Sequence, residues 1–162
     1  MRQPKVTLAT PISGEPYRFY TWTFTLDPYG WKVTVCYSTN IKAARNHKRF
    51  VKLMGEDRDP DRTSWAFCTS IEHRSVLFLP MAEDGKVVSS GVIAHEALHA
   101  VKACLERTGV GTNEEAECYL LQHIVDIAYE FGSLVYKYEK EVIHPLTPEE
   151  KPATLQKIDE AK

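Results

Sequence analysis

The chain has 162 residues, of which 43% are hydrophobic and 10% aromatic, and its formal net charge at pH 7 is -2. This length suits one ordinary hydrophobic core and is short for two. The small acidic excess gives no electrostatic reason to expect a nucleic-acid or membrane surface. We therefore expect one globular domain over residues 1–143, with residues 144–162 as a tail.

The N-terminal residues and the cysteines indicate the cellular compartment. The first residues, MRQPKVTLATPISGEPYRF, lack the apolar core of a secretory signal, and no stretch is as long as a membrane span. The four cysteines form no C-x-x-C pair, which argues against a zinc ribbon and against a redox motif. We expect a soluble, cytoplasmic protein with reduced and mostly buried thiols.

The first half of the chain predicts a β-hairpin, a helix and two more strands. YRFYTWTFTL (17–26) and WKVTVCYST (31–39) are rich in β-branched and aromatic residues, and DPYG between them is a turn signal. IKAARNHKRFVKL (41–53) has apolar residues at helical spacing and predicts one surface helix, which GEDRDPDR ends. SWAFCTSI (64–71) and RSVLFLPM (74–81) predict strands before the turn AEDGK.

Two long helices are predicted after these strands. The first begins at Ser89 or Ser90 and ends at Arg107, with serine as the N-cap and Gly109 just beyond the last turn. The second begins at residue 112 or 113 and continues to about residue 138. The last 19 residues contain three prolines and many charges, which is typical of a tail that is disordered or weakly docked.

The sequence therefore predicts an α+β fold, in which a small and mostly antiparallel sheet packs against the two long helices and a shorter basic one.

The first long helix carries H-E-x-x-H, in the stretch VIAHEALHAV. His95 and His99 are four residues apart, so on a helix they lie roughly 40° apart around the axis and one turn along it. Both imidazoles can then bind one zinc ion. Glu96 is rotated by about 100° from His95 and flanks such an ion, where it can take a proton from a metal-activated water.

The amphipathic pattern of this helix separates the histidines from the core. His95 and His99 share a polar face with Lys102 and Glu106, so they are not predicted to be core histidines. A solvent-facing histidine pair without a metal is the alternative on this face. The opposite face forms an apolar stripe: Ile93, Ala97, Leu98, Val101, Cys104 and Leu105.

A catalytic zinc usually takes a third protein ligand, and the next helix offers Glu114, Glu115, Glu117, His123 and Asp126. Glu115 lies on a polar face of that helix, and the glycines in TGVGT permit the chain to reverse toward the histidines. A capping box from Thr112 to Glu115 is the structural alternative. His123 is the reserve third ligand if the two helices form a tight hairpin.

These residues resemble the gluzincin branch of the zincin metallopeptidases, in which a glutamate on the next helix completes H-E-x-x-H. The resemblance covers HEALHAV to NEEAECYLL, about a fifth of the chain, and its N-x-E-x-x-x-Y-L pattern is similar to small metallopeptidase-like proteins encoded by bacteriophages. It implies a minimal zincin-like fold, with His95, His99 and Glu115 as zinc ligands and Glu96 as the base. It also implies an exposed edge strand for peptide pairing, for which IEHRSVLFLP is well placed.

The sequence departs from the thermolysin-like relatives at Tyr119, where they have an aspartate that supports a ligand histidine. The surroundings of the ligands must therefore differ. Tyr119 is a candidate for stabilising the oxyanion, as are His123 and Arg74.

The expected function is a zinc-dependent peptidase that acts on a peptide or protein substrate, with Glu96 as general base. The competing interpretation is a zinc-stabilised, catalytically weak or inactive phage protein that binds a host factor. A DNA-associated role would depend only on the basic run KAARNHKRFVK, and the acidic balance of the chain argues against it.

Overall fold

A five-stranded sheet with helices on both faces forms the structure, a computed structural model that describes residues 5–9, 17–54 and 65–143, with side chains from residue 17 onward. The strands are β1 (Lys5–Ala9), β2 (Tyr17–Leu26), β3 (Trp31–Ser38), β4 (Phe67–Ile71) and β5 (Arg74–Pro80). The helices are α1 (Ile41–Arg45), α2 (Lys48–Met54), α3 (Ser90–Arg107) and α4 (Glu114–Tyr138), and a π-helical turn, Glu139–Ile143, follows α4. The predicted α+β class is confirmed.

The predicted hairpin is confirmed as β2 and β3, which pair antiparallel from Leu26 opposite Trp31 to Phe19 opposite Ser38. Gly30 closes the turn with a φ of 64°, a left-handed conformation that glycine adopts without strain. Strand β1 pairs antiparallel with β2 and was not predicted. Its sequence, KVTLA, is too short for periodicity to separate it from a loop.

The sheet has the strand order β1-β2-β3-β5-β4, in which only the β3–β5 pair is parallel. Strand β5 therefore lies inside the sheet, and the prediction that it forms the peptide-binding edge is wrong. Among the described strands, β4 forms the edge on this side and pairs antiparallel with β5 alone. Helices α1 and α2 lie in the crossover that parallel pairing of β3 and β5 requires. The unbroken apolar run VLFL is typical of such an interior strand.

Each face of the sheet has its own hydrophobic core. On one face, Leu77 and Leu79 of β5 belong to the same core as Ile93 of α3 and Leu120 of α4. On the other face, Val76 and Phe78 of β5 pack with residues of α1, α2 and β4. The alternation along β5 thus assigns α3 and α4 to one face and α1 and α2 to the other.

The single helix predicted over residues 41–53 is wrong in one respect, because the chain forms two short helices there. Asn40 caps α1, its Oδ1 accepting from the Ala43 N–H at 2.9 Å. The His47 N–H donates to the Ala44 carbonyl at 3.0 Å, which tightens the last turn of α1. The His47 carbonyl then accepts from the Phe50 and Val51 N–H groups and starts α2. The segment is also not entirely on the surface, because the Phe50 side chain of α2 is buried.

Helices α3 and α4 match their predicted bounds. Ser89 is the N-cap of α3, although its side chain makes no capping hydrogen bond, and Gly109 follows the C-cap with a φ of 75°. Helix α4 approaches the sheet closely at Gly132, where an added Cβ would lie 3.0 Å from the Tyr37 hydroxyl oxygen. That Tyr37 hydroxyl donates to the Ala128 carbonyl at 3.0 Å.

The predicted tail, residues 144–162, lies outside the described residues, so the proposed domain boundary at residue 143 stays a prediction. Among the helices that the structure describes, none is both long enough and apolar enough to cross a membrane.

Candidate functional site

Helix α3 places His95 and His99 side by side on its exposed face, as the amphipathic pattern predicted. Their ring centroids are 5.0 Å apart, and the ring planes are inclined by 83°. Two imidazoles that share one tetrahedral zinc ion, with Zn–N bonds of about 2.0–2.1 Å, hold their centroids roughly 5 Å apart. The spacing of the two rings therefore fits a pair of ligands to one ion.

Glu96 has a different environment from the two histidines. It is only 6% exposed, whereas His95 and His99 on the same helix are exposed. Its carboxylate lies near edge strand β4, where it adds to the effect of burial in raising the pKa of the Cys68 thiol to about 12. The polar face of α3 predicted the orientation of the histidines, but it did not predict that Glu96 would be covered.

Glu96 and His95 line the same open cleft, which has a volume of about 550 Å³. One wall is the N-terminal turn of α3, and the other is the segment that leads into β4. Trp65 stands at this second wall with 66% of its surface exposed. The described residues that line it are Trp65, Ala66, Ser89, Gly91, Val92, His95 and Glu96. The cleft thus joins a buried carboxylate, one candidate ligand and the segment before β4.

A chain of polar side chains connects β4 to the interior of the sheet. The Trp31 indole N–H donates to Ser75 Oγ at 2.9 Å, and the Ser70 and Ser75 hydroxyls are 2.7 Å apart. Ser70 Oγ is 3.9 Å from the Cys68 sulfur. These hydrogen bonds hold β4 in register with β5 beside the cleft. The sequence analysis missed this group, and the small polar residues at alternate strand positions were its only signal.

Glu115 lies in the first turn of α4, exposed to solvent. The proposed capping box is wrong in its N-cap residue, because Asn113 and not Thr112 is the N-cap, with Asn113 Oδ1 accepting from the Ala116 N–H at 2.9 Å. Within the described residues the Glu115 carboxylate has neither a hydrogen bond nor an ion pair. Its side chain is therefore not committed to the helix end.

The structure does not bring a third ligand together with the two histidines. Among residues 17–54 and 65–143, no group of three His, Cys, Asp or Glu side chains is arranged closely enough to hold a metal ion. The exposed histidine pair and an uncommitted carboxylate on the following helix are what the structure offers to zinc. The roles of Glu115 and His123 as the third ligand stay predictions.

The three candidates for oxyanion stabilisation lie in different places. Tyr119 is 66% exposed on α4, and its ring lies parallel to that of His123, with centroids 6.3 Å apart. His123 also contacts Phe24 edge to face, with a centroid distance of 6.0 Å. Neither ring lines the cleft at Glu96. Arg74 is excluded, because it shares the face of β5 with Val76, on the side of the sheet away from α3.

No family model matches the chain, and neither a curated protein nor a solved structure matches it. What this site can do chemically therefore depends on its own residues: two imidazoles at a spacing that fits one shared ion, a covered carboxylate beside one of them, and the segment that leads into β4.

Proposed function

We propose that the protein is a zinc-dependent peptidase of the gluzincin type, with His95, His99 and Glu115 as ligands and Glu96 as general base. The observation that carries this proposal is the arrangement on α3. Two exposed imidazoles are spaced for one ion, and the intervening glutamate is buried in the wall of a cleft that His95 also lines. A solvated helix face would leave the glutamate exposed as well.

The position of Glu96 supports its role in moving a proton. A carboxylate held by packing stays in one orientation, which a base needs if it is to meet a water molecule in the cleft. When bound, zinc supplies a lowered pKa for water and a positive charge that polarises the scissile carbonyl. Glu96 then accepts the proton of the attacking water and passes it to the leaving amine.

The edge of β4 supports an extended peptide as the substrate. In the described residues β4 pairs on one side only, so its other side presents backbone N–H and C=O groups next to the cleft. A substrate strand would hydrogen-bond to these groups through its own backbone, and this gives weak dependence on sequence. Trp65, at the start of this segment, offers an exposed aromatic surface for one substrate side chain.

The state of the cysteines supports a location in the cytoplasm, which belongs to the same proposal. All four cysteines are free, and Cys36 and Cys104 are buried. Reduced thiols are typical of proteins in a reducing compartment.

The first test is the metal content of the purified protein. Wild type should bind about one equivalent of zinc, because two imidazoles and a carboxylate suit this ion. His95→Ala should lose it, whereas Lys102→Ala, an exposed change on the same face of α3, should not. A protein that holds less than about a tenth of an equivalent even after zinc addition does not have this site.

The second test separates catalysis from metal binding. Glu96→Gln retains size and polarity but removes the base, so zinc should stay bound while cleavage of a susceptible peptide falls by at least ~10²-fold. Equal cleavage by wild type and variant would refute the role of Glu96. If both proteins bind zinc and neither cleaves any member of a broad peptide library, the zinc-stabilised binding protein replaces the peptidase.

A further inference from the structure

A second cavity lies on the opposite face of the sheet from the histidines. Its volume is about 410 Å³, and it is formed between α2 and strands β2, β3 and β5. The described residues that line it are Thr23, Lys32, Thr34, Arg49, Lys52, Leu53, Arg74 and Val76. Half of these residues are cationic and none is acidic. The cavity is thus a concave surface of one sign of charge.

Regular structure brings the four cations together. Lys32 and Arg74 are paired neighbours on the parallel strands β3 and β5. Arg49 and Lys52 are three residues apart on α2, so they project from the same side of that helix. None of the four makes an ion pair with a carboxylate in the parts of the chain that the structure describes. Their mutual repulsion is therefore not relieved by the protein's own described side chains.

Arg49 adds a second observation about this cluster of cations. Its Nη1 atom is buried and has no hydrogen-bond partner among the described residues. A buried donor without a partner costs free energy, and a guanidinium donor costs more than a neutral one. The positive charge in this region also affects His47, since burial and then the charges of Lys48 and Arg49 lower the pKa of its imidazole. An anion bound in the cavity would offset the repulsion among the four cations.

Two hydroxyl groups complete the chemistry of this cavity. Thr23 and Thr34 face each other across β2 and β3, with their Oγ1 atoms 2.8 Å apart. Each hydroxyl can donate one hydrogen bond, and only one is needed between the pair, so the second remains for a ligand. Guanidinium, ammonium and hydroxyl donors around one cavity are the groups that bind phosphate oxygens.

We propose that this cavity is a binding site for a small molecule that carries a phosphate group. Its volume falls within the range of about 300–1,000 Å³ that is usual for small-molecule sites. A concave site between one helix and the sheet favours a small ligand over a nucleic-acid strand, which requires an extended basic track. The site lies on the other side of the sheet from Glu96 and is independent of the proposed peptidase.

The proposal is tested by titrating the protein with inorganic phosphate at constant ionic strength. Heteronuclear NMR monitors the titration. Saturable shifts should appear at the amides of Thr34, Val76 and Arg49 and at the Arg49 guanidinium. Adenosine 5′-monophosphate should shift the same signals, and adenosine should not. Arg49→Gln should weaken phosphate binding by about tenfold or more, the effect of losing one charge-assisted contact.

Matched variants on α2 keep the test decisive even if Arg49→Gln does not fold. Lys52→Gln changes an exposed lining residue and should weaken binding, whereas Lys48→Gln changes an exposed lysine outside the cavity and should not. The proposal is overturned if phosphate gives no saturable shifts up to roughly 10 mM. It is also overturned if Lys48→Gln and Lys52→Gln weaken binding equally, or if a single-stranded oligonucleotide binds far more tightly than the mononucleotide with a steep dependence on salt.

Discussion

Asn113 and Glu115 lie two residues apart at the start of α4, and only Asn113 caps the helix. The two side chains can therefore be tested separately, which a shared capping box would prevent. Asn113→Ala should cost about 1 kcal/mol of unfolding free energy through loss of the cap, with zinc affinity nearly unchanged. The unfolding free energy of Asn113→Ala then shows how large a loss of the helix cap is, for comparison with that of Glu115→Ala.

Glu115→Ala should lower zinc affinity sharply while stability without metal changes little, because the exposed carboxylate has no partner in the described structure. Glu114→Ala is the matched control, since its side chain projects roughly 100° away around the helix. Zinc titration and chemical unfolding of both variants measure the two quantities. If Glu115→Ala binds zinc as wild type does, Glu115 is not a ligand, and His123→Ala becomes the variant to measure.

At the scale of secondary-structure elements, His47 separates α1 from α2. Its neutral Nδ1 accepts from the Arg49 N–H at 3.3 Å, and its ring meets Phe19 edge to face, with centroids 5.0 Å apart. Burial, followed by the charges of Lys48 and Arg49, lowers the pKa of His47. Protonation would thus place a cation beside two others and remove the acceptor.

This lowered pKa predicts how stability depends on pH. Between the folded and the unfolded pKa of His47 the unfolded chain binds more protons, so the free energy of unfolding rises with pH in that window. The contribution is fully present above about pH 6.5 and is lost as pH falls through the folded-state value. Urea unfolding at several pH values should show a smaller acid loss for His47→Asn, in which position 47 does not titrate. An identical pH dependence in both proteins would contradict the role of His47.

At the scale of the whole molecule, a buried ion pair connects the two ends of the described chain. Arg18 on β2 donates from Nε to Glu139 Oε1 at 2.9 Å, and the Tyr20 hydroxyl also donates to Glu139. Glu139 is fully buried in the turn after α4, and Arg18 reaches Glu83 as well. Gly85 packs so closely there that a Cβ on it would lie 2.6 Å from Glu139 Cβ.

Glu139→Ala should destabilise the protein by about 3 kcal/mol, because it leaves Arg18 and the Tyr20 hydroxyl without their buried acceptor. Glu141→Ala is the control. Among the described residues it pairs with Lys137 at 3.8 Å, and both side chains are largely exposed, so the loss should be below about 0.5 kcal/mol. Chemical unfolding compares the two. Equal losses of unfolding free energy in the two variants would mean that the interactions of Glu139 stabilise the fold no more than a surface ion pair does.

The sequence alone determined the local features of this protein. The hairpin of β2 and β3, the bounds of α3 and α4, and the exposure of His95, His99 and Glu115 all follow from periodicity and from turn or cap residues that act within a few positions. The candidate site was predictable to the same extent, because H-E-x-x-H defines a helical geometry without reference to the rest of the chain.

Only the tertiary structure decided features that depend on pairing between distant segments. These are the interior position of β5, the edge position of β4, the burial of Glu96 beside that edge, and the exclusion of Arg74 from its cleft. Arg74 instead joins Arg49 in a cavity that no local pattern indicates. Long-range packing of the two cores decides which strands pair and which side chains are buried. Hydrophobic periodicity carries no information about which distant segments pack together.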